Sequence, residues 1–383
     1  MTTLETIRRF TFNNPVETFF GYGSLKKLSD FTDTRKVVLI PTPGSLDRGI
    51  LDRVFELTEQ VFDPLLIAEP PTFEWFSSHY SEFWKAHKDC ELITAIGGGS
   101  VIDTAKVLSV KCLQESMNDF TPIKDHLEGQ SQLEAYVSVP IIAIPTTAGT
   151  GSEVTPWASL WNLAEQKKYS LHLPTLWPRV AIIDPELTMT VPWQTTLVTA
   201  LDALSHGLEA IWNKNANIVS TSLAIDSART IMSNLPLLKK RLDNRVARIQ
   251  MHRASLLAGL AFSNTKTALA HALSYPFTIE YDVLHGLACS FTLPSILRHN
   301  RGITSECDAA LSRIFSTDIA EADGKLKDFL HSFDLSTDFR SYGATDKEMR
   351  EIIENVRSNH RFENNINPSL DGLLDCFEKE QRT

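Results

Sequence analysis

Short apolar, β-branched runs punctuate the first half of the chain: KVVLIP at 36–41, PLLIAEP at 64–70, ELITAIGGGS at 91–100, VSVPIIAIPTT at 137–147 and RVAIIDP at 179–185. Amphipathic stretches separate them, which is the rhythm of βα units around a parallel sheet. After Pro185 the pattern changes. From Trp193 to about residue 300 apolar positions recur three and four apart, most clearly over 202–211 and 218–238, and charged helical segments such as Asp346 to Ser358 follow. A boundary is expected at 186–192, where PELTMTVP supplies turn residues and a proline ahead of the next helix. The pattern thus predicts an α/β domain with a parallel sheet over 1–188 and an all-α domain over 189–383. The uncharged run from Ala254 to Ile279 contains too many polar groups for a lipid-facing span and is predicted as a buried soluble helix.

A length of 383 residues fits two domains or one large one. With 43% apolar and 22% charged residues, neither disorder nor a fibrous repeat accounts for the chain. A net charge of −10 without any basic tract argues against nucleic acid as a partner, although an anionic small molecule is not excluded. The five cysteines are odd in number and lack CxxC spacing, so neither a disulfide framework nor a thiolate metal site is expected. No apolar core follows the charges of MTTLETIRRF, so no signal peptide is read and a reducing, cytoplasmic location is expected, without a membrane partner.

Two loops carry candidate chemistry. Gly97, Gly98, Gly99 and Ser100 follow the apolar LITAI and precede a helix in which Val101, Ala105, Leu108 and Cys112 recur on one face. Glycines at a helix N-terminus present backbone N–H groups to an anion such as a pyrophosphate. GGGS alone fits a tight turn equally well, being neither GxGxxG nor a Walker loop. The second loop, Pro145 to Glu153, also follows an apolar strand. Both would sit at the carboxyl edge of one sheet, which favours a nucleotide.

Asp202 and His206 are four apart in TALDALSHGLEAIW, so on a helix they share a face. His271 lies in the next long helical segment, and His285 opens another. One carboxylate and three imidazoles suit divalent iron or zinc with a position left open, and not calcium or magnesium. Each histidine taken alone is as readily an ordinary core residue. Glu209 is read as solvated.

GGGSVIDTAK (97–106), PTTAGTGSEVT (145–155), DALSHGLEA (202–210) and the segment from AHALSYP to HG (270–286) resemble, in order and spacing, the iron-containing (group III) alcohol dehydrogenase family. The likeness covers nearly the whole chain. It implies a metal (Fe2+ or Zn2+) on Asp202, His206, His271 and His285. Dinucleotide contacts fall on Gly98, Gly99, Ser100, Asp103, Thr146, Thr147 and Lys168, and the implied active site lies in the cleft between a nucleotide domain and a helical metal domain of a homodimer. Two departures matter. Many members carry a second histidine where this chain has Tyr275, leaving a phenol as a possible proton donor. NAD-preferring members commonly end the first strand with an aspartate, where KVVLIPTPGS offers Thr42; a 2′-phosphate is then not repelled, and NADPH is expected to serve as well as NADH.

Lys266 is the only formally charged side chain between Ala254 and Ile279, histidines aside. A cation inside an apolar helix needs an anion, either a protein carboxylate or a substrate. Thr265, Thr267, Asn264, His172 and Arg179 are further candidate donors. AFSNTKTALAHALSYP, WASLWN and KKYSLHLPTLWP look like the branch that reduces phosphonoacetaldehyde to 2-hydroxyethylphosphonate. The implied reaction is hydride transfer from NADH or NADPH to an aldehyde, with a small alcohol as product. Alternatives are a general short-chain alcohol dehydrogenase, a cyclase of the dehydroquinate-synthase type, and a non-catalytic nucleotide- or metal-binding protein.

Overall fold

The computed structural model describes residues 9–59, 61–113, 119–357, 359 and 361–380. The first eight residues, on which the signal-peptide reading partly rests, and Ser358 lie outside the described residues. The strands are β1 (Glu17–Phe20), β2 (Val37–Pro41), β3 (Leu92–Gly97), β4 (Val110–Cys112), β5 (Tyr136–Ser138), β6 (Ile141–Pro145), β7 (Trp157–Asn162), β8 (Lys167–His172) and β9 (Val180–Ile183). Five of them form one parallel sheet in the order β1-β9-β6-β3-β2, while β4-β5 and β7-β8 are antiparallel pairs.

The apolar runs are continuous because both sheet faces are covered. Val38, Ile40 and Ile93 pack with Phe76 and Tyr80, whereas Val37, Leu39 and Leu92 pack with Leu25, Leu28 and Val54. Every residue of β2, β3, β6 and β9 is buried. PLLIAEP, expected as a strand, is instead an irregular extended edge. The N–H groups of Phe62, Leu65 and Ile67 donate to the carbonyls of Val37, Leu39 and Pro41, but Pro64 has no N–H to give. VSVPIIAIPTT breaks at Pro140 into β5 and β6. The helix after the glycines ends at Ser109, so Cys112 belongs to β4 rather than to its apolar face.

By its contacts the chain divides into two compact units. One comprises Pro15–Pro192 with Leu242–His252; the other comprises the segment before Pro15, Trp193–Arg241 and the chain from Arg253. The second unit is largely helical, with Trp193–Ile211, Ile218–Lys240, Leu269–Glu280, Asp346–Val356 and the short His285–Ser290 among its helices. The single buried helix expected over Ala254 to Ile279 is two helices, Arg245–Thr265 and Leu269–Glu280. Two amides end the first: Asn215 Nδ2 donates to the Thr265 carbonyl at 3.3 Å, and Asn213 Nδ2 to that of Lys266 at 3.1 Å. These satisfy carbonyls that a continuing helix would have used, and Lys266 turns to a φ of 68°.

The Trp193–Ile211 and His285–Ser290 helices touch backbone to side-chain position at Gly286. A Cβ there would meet the Val198 carbonyl oxygen at 1.9 Å. Gly286→Ala is therefore expected to force these helices apart and cost on the order of 3 kcal/mol, read as a lowered urea midpoint; an unchanged midpoint would show that the approach is not a constraint.

Candidate metal centre and nucleotide loops

Asp202 and His206 project from one face of the Trp193–Ile211 helix, His271 lies in the first turn of Leu269–Glu280, and His285 is the first residue of His285–Ser290. The structure brings all four together. Asp202 Oδ1 stands 3.4 Å from His271 Nε2 and 3.8 Å from His206 Nε2. The His206 ring stacks on Phe262 at 4.0 Å and on His271 at 4.5 Å, and His285 meets His271 edge-on at 5.6 Å. Asp202 and His271 are 5% and 3% exposed, yet Asp202 Oδ1 and His271 Nε2 make no hydrogen bond. Buried polar atoms are nearly always satisfied, so the pair points to a group that they share. Ligand atoms on a tetrahedral divalent metal stand about 3.3–3.8 Å apart, from bonds of about 2.0–2.3 Å. The observed spacing fits such an ion. One atom of Cys289 also joins those of Asp202, His271 and His285 within 4.8 Å.

Glu209 is not solvated. It is fully buried, accepting from His271 Nδ1 at 2.5 Å and from the His271 backbone N–H at 3.2 Å. This fixes the orientation of the ring and turns Nε2 toward Asp202 Oδ1. Its position three residues past His206 on the same helix was the available signal. Burial raises the pKa of Asp202, but His206, His271 and His285 outweigh it and hold the carboxyl below the usual range. Burial acts likewise on Glu209 and His271 prevails. Burial would lower His271, yet Cys289, Glu209 and Asp202 raise it well above an ordinary histidine.

Lys266 does not occupy the expected environment. It is exposed at the end of a helix, so no buried cation demands an anion there. Its neighbours are committed elsewhere: Asn264 bonds the backbone of Asn13, and Thr267 Oγ1 accepts from Arg361 Nε. Tyr275 is buried, its ring lying nearly parallel to that of His285 with centroids 6.3 Å apart. The Arg361 guanidinium sits over the Tyr275 ring at 5.2 Å. The sequence reading did not single out Arg361.

In the α/β unit, β2, β3 and β6 are adjacent and parallel, so Thr42, Gly98–Ser100 and Thr146–Thr147 share the carboxyl edge of the sheet. Thr42 caps the Pro43–Asp47 helix, accepting from the Gly44 N–H. The two loops touch: a Cβ on Gly99 would lie 2.7 Å from Thr150 Cγ2. Lys106 holds them in place. Its fully buried ammonium donates to Ser152 O and Oγ, Thr155 Oγ1 and Trp157 O at 2.7–3.1 Å. Asp103 accepts from Ser152 Oγ at 2.5 Å and from the Ser159 N–H at 2.9 Å, so its carboxylate positions the second loop. Lys168 lies over the Trp161 ring in the β7-β8 hairpin.

Residues 15–185 match the family described as iron-containing alcohol dehydrogenase, and residues 196–380 match the C-terminal region of the Fe-containing alcohol dehydrogenase family. The chain belongs to the iron-containing alcohol dehydrogenase family. Long-chain-alcohol dehydrogenase 1 of Geobacillus thermodenitrificans is 37% identical over 306 residues, 77% of this chain and 74% of that protein. The aldehyde-alcohol dehydrogenase of Streptococcus pneumoniae is 30% identical over 295 residues, 75% of this chain, which spans only 33% of that longer protein. The sulfoacetaldehyde reductase of Bifidobacterium kashiwanohense, solved in complex with NAD+, superposes with a TM-score of 0.86 at 27% identity, covering 98% of this chain and 100% of that one. The cofactors of the iron-containing alcohol dehydrogenase family, a divalent metal and NAD(H), suit the two groups of residues described above. Among the described residues, no helix is long and apolar enough to cross a membrane.

Two predictions follow from this geometry. Glu209→Ala should weaken metal binding about 10–100-fold in chelator competition, and His271→Ala should remove the metal outright; unchanged affinity in the first would show that Glu209 does not align the ligand. Glu153 is buried beside Lys106, and burial lifts its carboxyl to about 7 against the lysine's opposing pull. The folded chain thus binds this proton more tightly than the unfolded one, and stability is lost as pH rises from 4.5 to about 7. The stability of Glu153→Gln relative to the original chain should climb across that window and level off above it, as measured by urea unfolding at stepped pH.

Proposed function

We propose that the chain catalyses metal-dependent, NAD(P)H-linked reduction of a small aldehyde carrying an acidic group, phosphonoacetaldehyde being the chosen substrate, to its primary alcohol. The observation that carries this reading is the cluster of buried Asp202, His206 and His271 with half-buried His285, aligned by Glu209, in a member of this dehydrogenase family. Those four side chains would hold the metal, and Gly98–Ser100 with Thr146–Thr147 would receive the dinucleotide phosphates. When bound, the metal supplies a Lewis acid for the carbonyl oxygen and the reduced nicotinamide a hydride for the carbonyl carbon. Glu209 holds the His271 ring with Nε2 toward Asp202, and Phe262 covers one face of His206 against water. The Tyr275 phenol, whose ring stacks near His285, would hold a proton for the product oxygen.

Similarity to a sulfoacetaldehyde reductase supports an anionic two-carbon aldehyde. Lys266 no longer supports it, because it is exposed. Arg361 takes its place as the cation next to Tyr275 and is assigned the acidic end of the substrate. Thr42 at the end of β2 presents no carboxylate to a 2′-phosphate, so NADPH is used at least as well as NADH.

An aldehyde panel, acidic and neutral, assayed with each cofactor tests the whole reading. Arg361→Ala should lose about 2–5 kcal/mol of transition-state binding for the acidic aldehyde alone, while Lys266→Met changes little. Equal losses on neutral aldehydes would make Arg361 structural and leave an unspecified aldehyde as substrate. Thr42→Asp should move preference toward NADH; an original preference for NADH beyond about tenfold, or about 1.4 kcal/mol, would overturn the cofactor reading. A metal-loaded, cofactor-bound protein that reduced nothing in the panel would be a binding protein instead.

A further inference from the structure

We infer that the Thr267 hydroxyl is a positioning group for Arg361: it sets the angle of the guanidinium and, through it, the preference for an acidic over a neutral aldehyde. This rests on the reading of Arg361 as the cation for the acidic end of the substrate, and carries it to a residue four positions before His271.

Thr267 lies in the short link, 266–268, between helices Arg245–Thr265 and Leu269–Glu280. Thr267 Oγ1 accepts from Arg361 Nε at 3.0 Å, and the Thr267 carbonyl accepts from Asn364 Nδ2 at 2.8 Å. The backbone of the segment that carries Arg361 has further anchors of its own. The Lys214 N–H donates to the Asn364 carbonyl at 2.7 Å and the Ile366 N–H to the Trp212 carbonyl at 3.2 Å. Asn300 and Asn365, both buried, exchange side-chain amide bonds of 3.0 and 2.9 Å. None of these uses Thr267 Oγ1. What the hydroxyl holds is therefore the guanidinium and not the fold of the segment.

A guanidinium is planar, with its donors in a rigid fork, and it meets the paired oxygens of a phosphonate, sulfonate or carboxylate only when that plane is presented at the right angle. Two contacts define the plane here. The Tyr275 ring backs it at 5.2 Å, and the bond at Nε restrains rotation about the end of the side chain. An arginine already held in place loses less rotamer freedom on meeting an anion, and so binds it more tightly. The sequence places Thr267 among candidate donors to an anion, but in the structure its oxygen accepts, and its contribution passes through Arg361. A neutral aldehyde offers this fork no paired oxygens, so its turnover is independent of the angle.

Steady-state kinetics of the metal-loaded full chain with phosphonoacetaldehyde and with propanal test the assignment. Thr267→Val keeps the shape and the carbonyl of the residue and removes only the hydroxyl. It should raise KM for phosphonoacetaldehyde about five- to tenfold, the size of one hydrogen bond, with kcat and both propanal parameters within about twofold of the original. Thr267→Ala should do the same, and Thr267→Ser should restore the original KM. Added to Arg361→Ala, Thr267→Val should change nothing further, because the hydroxyl acts only through the arginine. An unchanged KM in Thr267→Val and Thr267→Ala beside a selective loss in Arg361→Ala would overturn the role of Thr267 and leave that of Arg361 standing. A loss on both aldehydes, or one that persists when Arg361 is already alanine, would make Thr267 structural and overturn the role equally. If the original chain did not reduce phosphonoacetaldehyde, or Arg361→Ala showed no selective loss on it, the Arg361 reading would fall and the role of Thr267 with it.

Discussion

Two carboxylates on one face of a single helix, Asp202 and Glu209, are buried in the apolar interior of the helical unit, and the arrangement around them answers the cost of that burial. Ionised carboxylates persist in such surroundings only with opposite charge and hydrogen bonds at hand. Glu209 finds both in His271, through its ring and its backbone N–H. Asp202 is left with an oxygen 3.4 Å from His271 Nε2 and 3.8 Å from His206 Nε2 and without a hydrogen bond. A divalent cation would complete that set. Helix Leu269–Glu280 begins where His271 reaches Glu209, and helix His285–Ser290 approaches closely enough for Gly286 to lie against Val198.

The α/β unit shows the same logic with the sign reversed. Lys106 is a fully buried ammonium, and burial draws its pKa down to about 8 against the upward pull of Asp103 and Glu153. Four oxygen acceptors from the Ser152–Trp157 stretch replace its water shell. By satisfying one cation, the second loop becomes fixed against the first. The carboxyl edge that the two loops share is thus shaped by a fully buried charge.

Much of this was legible in the chain. A strand ending in glycines before a helix, and a second loop after the next apolar run, are local patterns that specify their own geometry, as is the four-residue step from Asp202 to His206. Distant partners decided what was misread. The three-residue step from His206 puts Glu209 near the same face, but the residue that takes its hydrogen bonds, His271, lies 62 residues on. The helix that seemed to enclose Lys266 is ended by Asn213 and Asn215, 53 and 50 residues away from the carbonyls they bond. The β7-β8 hairpin and β1 were missed because their alternating or exposed side chains lack the continuous apolar signature of the central strands.

The position of β1 has a kinetic side. It lies first in the chain, yet its neighbour in the sheet is β9, about 160 residues later, and β9 also bonds β6. On the ribosome, β2, β3 and β6 can pair as they emerge, whereas Glu17–Phe20 must wait until Val180–Ile183 has been made. Closing so long a loop is entropically slow, and an unpaired strand edge is exposed meanwhile. Until β9 emerges, β1 itself and the β6 edge that β9 will cover stay unpaired, and these are where a nascent chain is open to pairing with the wrong partner or to capture by a chaperone.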